Sequence, residues 1–272
     1  MKFNNLEDRM LTFRSMSDYK LIPNMPVMVM LDGKNFSSKV KKRFNLPFDD
    51  MFISLMNDTA SFLCSQIQGA KIAYVQSDEI SILITDFDTQ ETDSSFGFRL
   101  CKMQSIFASM ATSYFNREIV KRMVETASDV EEIKTILNME SLYQFDCKCW
   151  NLPTFNDVFG WFLYRQTDCI RNSKQQAAQT YLSHKQLMGK HTDEQIVLLK
   201  ETNNIDWYSD FDDGKKYGRF IYKETVHSSK EVNGKMIEFD RSVWSAHNAL
   251  PLTEDDNREV FKSLSCFDVF KT

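Results

Sequence analysis

Between Tyr74 and Ser81 the chain reads Tyr-Val-Gln-Ser-Asp-Glu-Ile-Ser, and this stretch restricts the fold more than any other. Apolar residues enter it at 72–75 and leave it at 80–84, while Ser77, Asp78 and Glu79 lie between them with no Gly or Pro. Two short β-prone runs around a tight polar turn predict a hairpin whose tip carries two carboxylates. Upstream, Val27-Met28-Val29-Met30-Leu31 predicts another strand, ending in Asp32-Gly33-Lys34-Asn35-Phe36. Neighbouring strands that each deliver an Asp offer oxygen ligands for a divalent cation. A small ligand set completed by substrate phosphates suits Mg2+. Gly33 fits this arrangement, because a metal or phosphate approaches backbone closely where no side chain intervenes.

The pattern around these strands predicts the architecture. Met51, Phe52, Leu55, Met56, Phe62, Leu63 and Ile67 recur at helical spacing, with Pro47, Asp49 and Asp50 suiting the first turn and Gly69 the stop. Leu100, Met103, Phe107, Met110, Ala111 and Tyr114 mark a second long helix over about 95–120, and 144–150 reads as a strand. Strand, helix, strand, strand, helix, strand is the order of a ferredoxin-like or split βαβ unit. The expected fold class is therefore α+β: an antiparallel sheet with two helices on one face, and the Asp32 and Asp78 strands in the middle. Residues 1–150 form this core in the expected scheme, and 151–272 form a helical and β-hairpin extension packed on it. Smaller signals predict a short helix over 5–17, a basic loop over 37–47 and a helix behind a Ser128-x-x-Glu131 capping box. Further helices are expected from Thr154 to Gly189 and from a Thr192-x-x-Gln195 cap, then strands from Trp207 with an Asn233-Gly234 hairpin turn.

Composition excludes several classes. With 272 residues, 42% of them hydrophobic, the chain supports a sizeable core. No apolar run reaches the ~20 residues of a membrane span, and no signal segment opens the chain, so a cytoplasmic protein is expected. The six Cys form no CxxC pair, and the four His lack zinc-helix spacing. P-loop and G-x-S-x-G motifs are absent. A net charge of −5 argues against a generally basic nucleic-acid surface, yet Lys39, Lys41, Lys42 and Arg43 cluster directly after the Asp32 strand. Arg99 and Lys102 lie one turn apart and are candidates for phosphate binding. Two Asp at one sheet edge, holding two ions roughly 3.5–4 Å apart, suit phosphoryl or nucleotidyl transfer. Arg and Lys would neutralise the triphosphate.

Leu31-Asp-Gly-Lys-Asn-Phe36, Pro47-Phe-Asp49, Tyr74-Val-Gln-Ser-Asp-Glu79 and Arg165-Gln-Thr-Asp168 occur in order, joined by Phe145-Asp146. Together, over about residues 25–225, they resemble the tRNA-histidine guanylyltransferase family and its wider group of 3′-to-5′ tRNA-editing polymerases. The resemblance implies a polymerase-palm core, usually in a homotetramer. It implies addition of nucleotides to the 5′ end of tRNA with a Mg2+ pair, ATP to activate the 5′ phosphate, and GTP or another NTP as incoming unit. By position, Asp32, the Gly33 carbonyl and Asp78 match the metal ligands, and Glu79 matches an essential neighbouring acid. Lys34, Asn35, Phe36, Asp49, Ser77, Arg99 and Lys102 fall where the family holds the nucleotide. The basic cluster Lys39, Lys41, Lys42 and Arg43 is expected to contact tRNA phosphates, and Arg165 and Asn172 are further expected tRNA contacts.

The pattern also departs from the family's. Met30 stands where Arg often precedes Leu-Asp-Gly, and Leu46 where Lys precedes Pro-Phe-Asp. Ile170-Arg171-Asn172-Ser173 replaces the His-Ile-Asn-Asn block that follows Asp-Cys in histidine-tRNA enzymes. These departures favour the editing relatives. A palm-type nucleotide cyclase and a non-catalytic RNA-binding protein are the alternative readings.

Overall fold

A computed structural model describes residues 3–89, 91–137, 142–232, 235–254 and 256–265, with the side chains of residues 37, 41, 42, 232 and 235 outside that description. The chain opens with α1 (Leu6–Ser15), capped by Asn5, and continues into β1 (Val27–Gly33). The basic stretch expected as a loop folds instead as α2 (Phe36–Arg43), because Phe36 and Val40, one turn apart, both pack against the core. Next come α3 (Asp50–Gln66), β2 (Ala70–Gln76) and β3 (Glu79–Ile84). The second long helix starts later than its apolar pattern suggests and runs further, as α4 (Leu100–Thr126). Phe96 and Gly97, at φ 53° and 59°, break the helical path, which leaves Arg99 as the cap.

α5 (Val130–Leu137) is capped by Asp129, whose Oδ1 accepts from Glu132 N at 2.8 Å, one residue beyond the expected box. After β4 (Phe145–Asn151), Thr154 caps α6 (Phe155–Tyr181). Then follow α7 (His184–Leu187) and α8 (Thr192–Asn203), the latter capped at His191 rather than Thr192. The strands expected from Trp207 begin only at Arg219. Asp206 and Asp212 each accept a backbone N–H and cap the short helices α9 (Trp207–Asp210) and α10 (Asp213–Tyr217). β5 (Arg219–Val232), β6 (Lys235–Asn248) and α11 (Asp256–Leu264) complete the described chain. The Asn233-Gly234 turn lies outside the described residues.

The strands form one antiparallel sheet in the order β4-β1-β3-β2-β5-β6. Its first four strands have the expected ferredoxin-like order, with β1 and β3 central. β5 and β6 widen the same sheet at the β2 edge. Residues 219–222 of β5 pair with β2, and β5 and β6 continue beyond them as a two-stranded arm leaving at the end away from Asp32.

Both faces of the sheet are covered, which explains why its strands are almost wholly apolar rather than alternating. Val27, Val29 and Leu31 pack with Leu55 of α3 and Phe107 and Phe115 of α4. Met28, Tyr74 and Leu83 pack on the opposite face with Phe162 of α6 and Phe261 of α11. The helices expected on one face are thus α3 and α4, and the C-terminal elements cover the other. Among the described residues no helix is long and apolar enough to cross a membrane.

Candidate active site

The register of the central strands assembles the acids. Asp32 lies opposite Glu79 across β1–β3 and opposite Asp146 across β1–β4. Directly opposed residues share a face, so Glu79, Asp32 and Asp146 form one row over three strands. Asp78 occupies the two-residue turn beside this row, following Ser77, which adopts left-handed φ 45°. Gly33 N donates to Asp78 O at 3.2 Å. A Cβ on Gly33 would fall 2.8 Å from Asp78 Oδ2 and 2.4 Å from the Phe36 ring. Glycine is therefore the residue that lets the Asp78 carboxylate rest against the β1 backbone.

Burial, then the charge of Asp146, raises the Asp32 carboxyl above its ordinary value, partly offset by the Gly33 N–H, Lys148 and Arg165. Burial, then the charge of Asp32, pushes Asp78 up to about 6. Glu79 is raised by burial and pulled back by Arg165. That guanidinium grips it bidentately, Nε to Oε1 and Nη2 to Oε2 both at 2.6 Å, and Nη1 reaches Asp168 Oδ2 at 3.1 Å. Glu79 is thus neutralised, whereas among the described residues no basic side chain forms an ion pair with Asp32 or Asp78. Two mutually repelling carboxylates beside a bare glycine backbone fit a hard divalent cation. The donor set stops at two carboxylates: no larger His, Cys, Asp or Glu cluster suited to a metal occurs among the described residues.

This geometry has a measurable cost. Asp78 is held about two units above its ordinary 3.8, so at neutral pH its ionised form opposes folding by roughly 3 kcal/mol. The sign follows from proton binding. Between pH 4 and 6 the folded state holds more protons than the unfolded state, and this contribution to stability falls as pH rises. Asp78→Asn should therefore stabilise the metal-free protein by on the order of 1–3 kcal/mol at pH 7.5, with the gain vanishing near pH 4. Urea denaturation in EDTA at both pH values checks this, and equal midpoints at pH 7.5 would refute it.

A cleft of about 550 Å3 opens on Asp32, Asp78 and Glu79, walled by Ser77, Arg165, Asn172 and Gln176. A narrower pocket joins it, lined by Asn45, Asp49, Lys215 and Arg219. Asp49 spends both oxygens locally, Oδ1 on Phe52 N at 2.9 Å and Oδ2 on Asn45 N at 3.0 Å. Phe36 is buried among Tyr143, Phe145 and Phe115 at 4.9, 5.0 and 5.3 Å and meets the cleft only at its floor. Asn35, at φ 56°, turns the chain into α2, and Lys34 faces a separate shallow cavity with Thr112, Gln144 and Asp146.

Other expected residues sit elsewhere. Lys39 donates to the Leu142 carbonyl and lies 5.2 Å over the Tyr143 ring, and Arg43 is exposed. The side chains of Lys41 and Lys42 lie outside the described residues. Arg165, expected as a tRNA contact, is buried against Glu79 instead. Arg99 pairs with Asp18 at 2.7 Å, and Lys102 lies 5.0 Å over Phe96. Phe98 O accepts from Leu21 N, and Ile22 N donates to Asn151, which opposes Val27. That is the far end of β1, about 17 Å from Asp32 by strand rise, so the chain does not bring Arg99 and Lys102 to its own acids. Asp146, Gln76, Lys215 and Arg219 were not singled out as site residues from the sequence. Phe145-Asp146 carried a signal and Lys215 stood in a small basic pair with Lys216, whereas Gln76 and Arg219 are brought to the site by strand pairing.

Comparison with known proteins supplies the family. Residues 7–153 match the family model described as tRNAHis guanylyltransferase (Thg1). A bacterial tRNA(His) guanylyltransferase (Thg1)-like protein in complex with ATP superposes with a TM-score of 0.79 at 31% identity, covering 96% of this chain and 99% of its own. The same kind of bacterial protein in complex with GTP gives 0.71 at 31% identity, over 96% and 98%. A probable tRNA(His) guanylyltransferase of Dictyostelium discoideum is 25% identical over 79% of this chain and 81% of its own length. An uncharacterized protein of Acanthamoeba polyphaga mimivirus is 27% identical over 83% and 80%. Cyclase and passive RNA binder are thereby set aside. With its acid row, its turn-borne Asp78 and a match across more than half its length, the chain belongs to the tRNAHis guanylyltransferase family and is a tRNA nucleotidyltransferase.

Proposed function

We propose that this enzyme repairs 5′-truncated tRNA by template-directed 3′-to-5′ addition, acting in the cytoplasm as a homotetramer with two Mg2+ ions. ATP activates the 5′ phosphate and any complementary NTP is then added. Asp32, Asp78 and the Gly33 backbone hold the cation, which when bound supplies charge neutralisation for the triphosphate. Glu79, clamped by Arg165, fixes the turn that carries Asp78. Ser77 and Asn172 bound the space for the incoming nucleotide.

One observation carries the template-directed reading. Of the four residues replacing the histidine-tRNA block, three are occupied in the fold. Ile170 packs in an apolar cluster, Arg171 pairs with Asp168, and Ser173 Oγ accepts from Trp207 Nε1 at 3.0 Å. Asn172 lines the cleft, and Ser173 lines the pocket that joins it. The replaced block thus brings only two polar side chains to the nucleotide space, and pairing with the opposite tRNA strand is left to choose the base. Truncated tRNAs bearing each template base, incubated with each NTP, should incorporate the Watson–Crick partner at least about tenfold faster than the others, a free-energy margin of about 1.4 kcal/mol. Guanosine addition confined to full-length histidine tRNA, blind to template, would overturn the proposal.

A further inference from the structure

Beside the acid row the sheet carries a second row on the same face, Ser81–Met30–Lys148, two residues along each strand. Trp161 of α6 covers it. Its Nε1 donates to Ser81 Oγ at 3.1 Å, and its ring meets Trp150 of β4 at 4.7 Å. Tyr164, one turn further, packs at 5.9 Å on Trp161 and at 5.0 Å from the Arg165 guanidinium, yet it is 58% exposed. Lys148 is exposed on the outermost strand and makes no ion pair among the described residues. Neither Lys148 nor Tyr164 walls the cleft, whose boundary on this side is Arg165 gripping Glu79.

The acids thus lie between two approaches. The enclosed one has the dimensions of a nucleotide site. The open one presents a ring face and an ammonium that has no ion pair among the described residues. In-line transfer needs attacking and leaving oxygens on opposite sides of the phosphorus. In the activation step, an ATP whose departing pyrophosphate is seated in the cleft therefore leaves the β4 side for the attacking 5′ phosphate of the polynucleotide. An aromatic ring beside a cation is how single-stranded nucleic acid is held without preference for a base.

We propose that Lys148 and Tyr164 form the seat of the tRNA 5′ end, the ammonium on a backbone phosphate and the ring against the terminal base. This rests on the reading above that tRNA is the polynucleotide substrate. The test is fluorescence anisotropy with a 5′-monophosphorylated, 5′-truncated tRNA, run beside NTP binding on the same proteins. Tyr164→Ala should weaken tRNA binding about tenfold while Tyr164→Phe binds as wild type, since the ring rather than the hydroxyl is used. Lys148→Ala should lower the slope of log affinity against log salt by about one. NTP affinity should be unchanged in both Tyr164 variants, and should fall less than tRNA affinity in Lys148→Ala, because the Lys148 charge also faces Asp32. Unaltered tRNA affinity and slope in Lys148→Ala and Tyr164→Ala, or a loss confined to NTP, would overturn the assignment. Binding decides this inference independently of turnover: weakened tRNA binding in the variants of an enzyme that adds no templated nucleotide would uphold the seat and refute the proposed reaction.

Discussion

Asp32→Ala and Asp78→Ala should each lower nucleotide addition by on the order of 10³-fold or more while leaving a folded protein. Both carboxyls are raised by burial and by facing another acid, so neither is in place for stability. Removing one leaves a single carboxylate and the Gly33 backbone, too few fixed oxygens to hold a cation against a triphosphate's own affinity for it. Single-turnover rates on 5′-triphosphorylated truncated tRNA isolate the transfer step from ATP activation. Residual transfer within tenfold of wild type in either variant would remove that residue from the metal site.

The largest stability effect should come from Arg165→Met. Arg165 and Glu79 are each only 7% exposed, and the guanidinium satisfies both carboxylate oxygens. Losing one partner of such a pair strands a buried charge, at a cost of about 3–5 kcal/mol. Adding Glu79→Gln should recover much of that loss, because the neutral pair no longer buries a net charge. Urea midpoints of the two single variants and the double variant measure the coupling. A cost below about 1 kcal/mol for Arg165→Met would show the pair to be weakly coupled to folding. Activity adds a second reading. A folded Glu79→Gln enzyme at wild-type rate would assign Glu79 to holding the turn alone.

The fold was legible where apolar period and punctuation agreed. The hairpin around Ser77 and Asp78, the central position of β1 and β3, and the Thr154 cap all followed from local sequence. So did the acids, since Asp32 and Asp78 end strands whose pairing their own apolar runs require. The misread elements were governed by single residues. Phe36 and Val40 turn a basic stretch into a helix, Phe96 and Gly97 delay α4, and Asp206 and Asp212 stop the chain from becoming strand. The site residues that escaped notice are those defined by register. Lys148 means nothing until it stands opposite Met30, and Arg165 reads as a tRNA contact until its burial against Glu79 is seen.

The Glu79–Arg165 pair also sets an order on folding. Its members are 86 residues apart, and one belongs to the palm sheet while the other lies beyond it on α6. A nascent chain that has paired β1, β2, β3 and β4 holds Glu79 uncompensated, with Met28, Tyr74 and Leu83 still open to water. The sheet becomes a stable catalytic surface only when α6 closes over it, and the same event delivers the cation that quiets Glu79. Activity is therefore expected to require completion of α6 and not of the palm alone, which truncation of the chain before and after α6 would test.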